Sequence, residues 1–127
     1  METWTGIDGI SNVDFYFSTN AFTSTPNTTS RLWDLLEIPS NNDEYYGDLV
    51  TGWLVPPVSG DFLFWIASDD NGEFFLNTDY VMSAENNMRI CYTPQYSDVR
   101  EWNRTIEQKS EPIGLVASQP YSFEVSA

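Results

Sequence analysis

The chain has 127 residues, with 19 Asp and Glu against five Lys and Arg, no His and a formal net charge of −14. That length suits one domain, residues 1–127, with a single core, and 41% hydrophobic with 16% aromatic content is globular. So acidic a surface repels phosphate backbones and anionic lipid, counting against nucleic-acid and membrane partners, and the lack of His removes His-based nucleophile systems and metal sites.

From the N-terminus, "ETWTGIDGISNVDFY" opens without the basic start and apolar run of a signal peptide. "SRLWDLLEI" places Leu32, Leu35 and Leu36 as a short amphipathic turn would, although no full helix is required of it. "NNDEYYGD" clusters Asp43, Glu44 and Asp48 in what reads as a solvated loop leading into a strand. "DLVTGWLVPP" then alternates Leu49, Trp53 and Val55 on one face with Val50 and Leu54 on the other, a strand apolar on both sides that stops at Pro56-Pro57. After a Pro/Ser/Gly turn, "DFLFWIAS" points Phe62, Phe64 and Ile66 one way and Leu63 and Trp65 the other. This alternation makes Trp53, Trp65, Phe62 and Phe64 core residues.

"EFFLNT" and "MRICYT" are two further strands, and Cys91 inside the second is a small buried apolar residue with no disulfide partner. "VREWNRTIEQK" holds Arg100, Arg104 and Lys109 beside Glu101 and Glu107 and reads as a salt-bridged loop, with Trp102 near the surface as a candidate ligand-stacking residue. "IGLVA" and "YSFEVS" predict a late hairpin through Ser118-Gln119-Pro120. Strands recurring at this spacing with Pro/Gly punctuation predict an all-β, antiparallel two-sheet β-sandwich of jelly-roll type. Two N-x-[ST] sequons, at Asn27 and Asn103, permit N-glycosylation if a eukaryote secretes the chain. No apolar stretch is long enough for a transmembrane helix, and no glycine loop would cradle phosphate.

The corner "SDDNGE" carries the functional signal. Asn71-Gly72 alone would make a two-residue hairpin turn, and on that reading Asp69 and Asp70 are solvated flanks. Adjacent strand residues point to opposite faces, so two neighbouring carboxylates converge only where the backbone leaves strand geometry, and their repulsion then needs an offset. A hard divalent cation supplies one, since calcium takes several oxygen ligands and leaves positions for a sugar diol. The stretch is not an EF-hand loop, because Ala67 stands where the first Asp would be.

"GWLVPPVSGDFLFWIASDDNGEFFL" resembles the core of the protective-antigen-type β-sandwich, the PA-fourteen domain. Gly52, Pro56, Gly60, Phe62, Phe64, Ile66, Ser68, Asp69 and Asp70 fit the pattern G-x-[apolar]-x-P-x-x-G-x-[aromatic]-x-[aromatic]-x-[apolar]-x-S-D-D in register. "ETWTGIDGISNVDFY", "EYYGDLVTGWL" and "REWNRTIEQKSEPIGLVASQPYSFEV" are similar to its opening strand, approach to the core and late hairpin, with Ser118 where the family usually has Gly. The variant is similar to modules of fibrocystin-like receptors and bacterial or fungal adhesins. The resemblance implies paired aspartates joined by a cis peptide and holding calcium, which binds sugar hydroxyls. It thus implies calcium ligands at Asp69 and Asp70, glycans or glycoproteins as partners, and an extracellular or cell-surface location within a longer chain. It also implies that a final strand or two, and a loop with the remaining ligands, lie beyond Ala127. The reading is a non-catalytic, calcium-dependent carbohydrate-binding or adhesion module. The alternatives are a structural or protein-interaction spacer, or an accessory domain of a glycosidase.

Overall fold

In the computed structural model, which describes residues 1–6, 25–39, 45–79 and 87–127, the alternating stretches form strands and no α-helix occurs among those residues. The strands are β1 (Glu2–Thr5), β2 (Thr28–Thr29), β3 (Tyr46–Leu54), β4 (Gly60–Phe62), β5 (Gly72–Leu76), β6 (Met88–Thr93), β7 (Ile113–Leu115) and β8 (Tyr121–Ser126). Six of them form one antiparallel sheet in the order β2-β1-β3-β8-β5-β6, and β4 pairs with β7 in a second. The fold is an all-β sandwich.

The period-2 pattern fixes which side chains meet. Val50, Phe74 and Val125 from the large sheet pack with Cys91 and with Ile66 from the opposing layer, and Leu76, Leu115 and Tyr121 form a second buried cluster. Phe74 lies edge-on to Phe64 and Phe123, with centroids 5.5 and 6.0 Å apart. Mid-strand Gly52 stands opposite Phe123, whose ring lies 2.7 Å from where a Cβ would sit, so the aromatic ring fills the space a side chain would take. Burial pushes the Cys91 thiol up to about 12, so it is an inert thiol inside the core.

Several sequence expectations are corrected. Phe62, Phe64 and Ile66 do face inward, but Trp53 and Trp65 are 53% and 42% exposed instead of core. Trp53 takes an outward position of β3 and Trp65 an outward position in the extended stretch after β4, a difference that alternation alone does not reveal. β4 is shorter than the apolar stretch; beyond it Trp65 forms only an isolated bridge with Lys109, while Ile66 N–H donates to Gln108 O (3.0 Å) and Ser110 N–H to Phe64 O (2.9 Å). The late hairpin does not form. β7 joins β4 and β8 joins β3 and β5, so Val116–Pro120 is a corner between sheets. Ser118 takes φ +62° there, a left-handed position that favours glycine, and its N–H donates to Pro56 O at 2.9 Å.

The stretch around Leu32–Ile38 is an extended strap with no helix. Leu32 and Ile38 both pack on the first core cluster. Six residues apart on a helix they would sit roughly 240° around the axis and could not share that surface. Trp33, Leu35 and Leu36 consequently face solvent. Asp43 and Glu44 lie outside the described residues, as does most of the opening stretch after Gly6. Asp48 is no loop residue; it sits in β3, 1% exposed, and accepts a hydrogen bond from the Thr3 hydroxyl.

Candidate functional site

The Ser68–Asp70 corner follows Ile66 out of the small layer and leads into β5 of the large sheet, so it is a crossover and not a hairpin turn. Asn71 and Gly72 are absent from the residues with positive φ, which removes the tight-turn account of Asn-Gly. Gly72 is needed for room instead: a Cβ there would lie 2.8 Å from Ser68 Cβ and 3.2 Å from Ile66 Cδ1. The Asp69–Asp70 peptide is cis.

A clasp to the loop after β6 holds the corner. Ser97, 3% exposed, accepts the Ser68 N–H on its Oγ (3.0 Å), donates that hydroxyl to Ser68 O (3.1 Å), and gives the same carbonyl its backbone N–H (2.9 Å). Ser68 Oγ donates onward to Asn71 O at 3.1 Å. Four hydrogen bonds therefore fix the backbone on either side of two carboxylates. The clasp also carries Asp98 toward the corner, and Tyr96 OH donates to the Asp98 carboxylate. Arg100 of the same loop binds Glu37 of the strap through Nε (3.1 Å) and Nη2 (2.8 Å), tying the strap across the sandwich.

Between corner, loop and strap lies a cavity of about 240 Å³. Tyr46, Asp48, Asp69 and Asp98 are its polar wall, and Trp65 and Trp102 stand on its aromatic side. Burial raises the Asp69 pKa, and the Asp70 charge, a hydrogen bond with Asp70 and the Asp98 charge raise it further. Burial likewise lifts Tyr46, with Asp48 and Asp69 adding to it, and the Asp98 hydrogen bond lifts Tyr96. The site is thus a concentration of negative potential, since Arg100, the base among the residues that line the cavity, is already paired with Glu37.

Of the residues singled out in the sequence, Asp69 and Trp102 line the same cavity with Asp70 beside them, and Trp102 is 45% exposed. Asn27 and Asn103 are exposed and belong to neither the corner nor the cavity; the Asn27 side chain accepts the Thr5 N–H at 2.9 Å. Sequence reading missed Ser97, Asp98, Tyr46 and the role of Asp48. Ser97 and Asp98 sit in "YSDV", whose only signal was an acid in a polar run.

The carboxylates and carbonyls here are hard oxygen donors of the kind calcium takes, so the donor chemistry fits. Among the described residues, no group of three acidic, His or Cys side chains is close enough to share a metal. Asp69 and Asp70 would therefore hold a minority of the six to eight oxygens calcium usually takes.

The raised carboxyls set a pH dependence. Asp48, Asp69 and Glu124 all have folded pKa values above their ordinary ones, burial being the first cause in each. They bind protons more tightly folded than unfolded. Their stabilisation is fully present below the ordinary carboxyl range of about 4 and is lost as pH rises through the raised values. With chelator present, the thermal midpoint at pH 5 is expected to lie a few degrees above that at pH 7, the lower net charge acting in the same direction. A midpoint that rises from pH 5 to pH 7 would contradict this burial pattern.

No protein-family model matches the chain, and no solved structure matches it. The N-acetyl-beta-glucosaminyl-glycoprotein 4-beta-N-acetylgalactosaminyltransferase 1 of Mus musculus is 33% identical over 82 residues. That alignment takes in 63% of this chain and 8% of the mouse protein, so the chain spans less than a tenth of that relative. No helix among the described residues is long and apolar enough to cross a membrane.

Proposed function

We propose that the chain is a non-catalytic, calcium-dependent carbohydrate-binding or adhesion module of PA-fourteen type, part of a larger extracellular or cell-surface protein. The observation that carries the reading is the Asp69–Asp70 corner, pinned to Ser97 at the edge of a cavity whose other wall holds two tryptophans. Solvated turn residues need neither the clasp nor the aromatic wall. Calcium held by Asp69 and Asp70 would supply open coordination positions for vicinal hydroxyls. Trp65 and Trp102 would offer faces for the C–H side of a pyranose, in keeping with pockets that combine aromatic walls and few polar groups. A relative named for acting on a glycoprotein glycan agrees with a glycan context, although the shared part is a small fraction of it.

Calorimetric titration with calcium tests the reading. Binding is expected in the wild type and is lost, by at least about tenfold in affinity, in the Asp69→Asn/Asp70→Asn variant, because each substitution removes a full carboxylate charge from the ion. Glycan binding in calcium should then vanish with chelator. A wild type that takes no calcium, with the variant indistinguishable from it, would leave a β-sandwich spacer in place of a lectin.

A further inference from the structure

The chain has five bases against 19 acids, so a cation left without a carboxylate stands out. Arg89 pairs with Glu73, Arg100 with Glu37 and Arg104 with Glu101. Among the described residues, Arg31 and Lys109 make no ion pair, and each lies over an exposed tryptophan: Arg31 5.8 Å from the Trp33 ring centre and Lys109 5.6 Å from that of Trp65. Of these two tryptophans, Trp65 lines the cavity with Asp69 and Trp102. Its place beside Lys109 is set by the backbone, through the antiparallel bridge between them and the flanking bonds from Ile66 N–H to Gln108 O and from Ser110 N–H to Phe64 O.

We propose that the saccharide bound at this site is an acidic one, bearing a carboxylate or sulfate, and that the Lys109 ammonium above Trp65 reads its charge. The inference rests on the carbohydrate reading and adds the class of sugar. An exposed cation–π contact is weak, so it orients the ammonium without satisfying it, and three N–H donors remain for an anion. The ring beneath takes the apolar face of the sugar while the ammonium takes its acid group, an arrangement a neutral sugar would leave half used. The Asp48, Asp69 and Asp98 carboxylates of the polar wall oppose an anion locally, so the acid group is placed on the Trp65 side of the cavity. Calcium at Asp69 and Asp70 would offset part of that charge, and physiological salt screens the rest of the net charge of −14 beyond about 8 Å. Contact distance decides, and there Lys109 has no described carboxylate to compete with the ligand.

Matched sugars that differ only at C6 separate this claim from the reading beneath it. Dissociation constants would be measured in calcium for galactose against galacturonate, glucose against glucuronate and mannose against mannuronate, with polyglutamate as an acidic non-sugar. At least one uronate is expected to bind more tightly than its neutral partner and more tightly than polyglutamate. Lys109→Gln should reduce that preference about two- to fivefold, the scale of one exposed ion contact, with neutral-sugar affinity unchanged. Lys109→Arg should keep it, and Arg31→Gln, which removes the same charge beside a different tryptophan, should leave it intact. Neutral sugars binding as well as uronates, or an equal effect of Arg31→Gln, would overturn the acidic-sugar assignment and leave the carbohydrate reading standing. Polyglutamate binding as tightly would reduce the contact to charge alone. Binding of no sugar at all would overturn both.

Discussion

Gln108→Leu is expected to lower the free energy of unfolding by about 3–5 kcal/mol, although it replaces one polar side chain with an apolar one of similar size. Gln108 is fully buried in the 3₁₀ turn Ile106–Gln108. Its amide nitrogen donates to Ile66 O (3.0 Å) and Glu101 O (2.6 Å), and its amide oxygen accepts the Thr105 N–H (2.9 Å). Leucine fills the volume and meets none of the three. Ile66 O, whose bond is buried, loses its donor at a cost of about 1–3 kcal/mol, while the part-buried Glu101 O and Thr105 N–H lose about 1 kcal/mol each, and the apolar gain offsets only part of that. Gln108 is also what joins the loop bearing Trp102 to the layer bearing Trp65, since its two acceptors belong one to each. The loss should therefore appear twice: as a lower denaturant midpoint with an unchanged slope, and as weaker ligand binding at temperatures where the variant is still folded. A variant within about 1 kcal/mol of the wild type would mean that water replaces the amide and that Gln108 does not organise the loop.

Apart from its place in the stretch that resembles the family's late hairpin, Gln108 is a polar residue in a polar run with no sign of burial, and the contrast with Asp69 and Asp70 shows what is legible and what is not. Local pattern reports local geometry well. Ile90 and Tyr92 alternate with Arg89 and Cys91 inside "MRICYT", and β6 occupies those very residues. The alternation of Phe62, Phe64 and Ile66 puts them on one face, and all three pack on the core. The doubled aspartate was visible because two adjacent charges are odd after an alternating strand. The expectations that do not hold are ones that depend on a distant partner. Trp65 looked buried because alternation gives the face of a side chain but not what covers it. The Val116–Pro120 corner looked like a hairpin because a step between sheets is the same length as a turn within one. Ser97 and Asp98 were unseen because they meet the corner across 29 residues, as the Ser68–Ser97 bonds do. Asp48, in an acidic run, gave no hint that it would be enclosed.

Leu76→Ala is the second large effect, at about 2–5 kcal/mol, the range for deleting a buried leucine where the cavity cannot collapse. Leu76 is fully buried at the end of β5, against Leu115 of β7 and Tyr121 of β8. Collapse is restricted on both sides. The large sheet is fixed by the β5–β8 ladder, and Tyr121 is pinned by its hydroxyl, which accepts the Val116 N–H at 3.0 Å. The small sheet has the opposite weakness, since β4 and β7 share only three residue pairs and depend on this cluster to stay seated. Truncating Leu76 should therefore loosen the small sheet first, raising amide exchange in Ile113–Leu115 more than in β3. Because Trp65 and Lys109 continue from those strands, the proposed function predicts that any sugar discrimination is lost before any calcium binding. Under the proposed function a calcium ion would depend on the Ser68–Ser97 clasp, which lies outside the Leu76 cluster. Uniform loss of protection across both sheets would show instead that the sandwich unfolds as one unit and that the small sheet has no separate stability to lose.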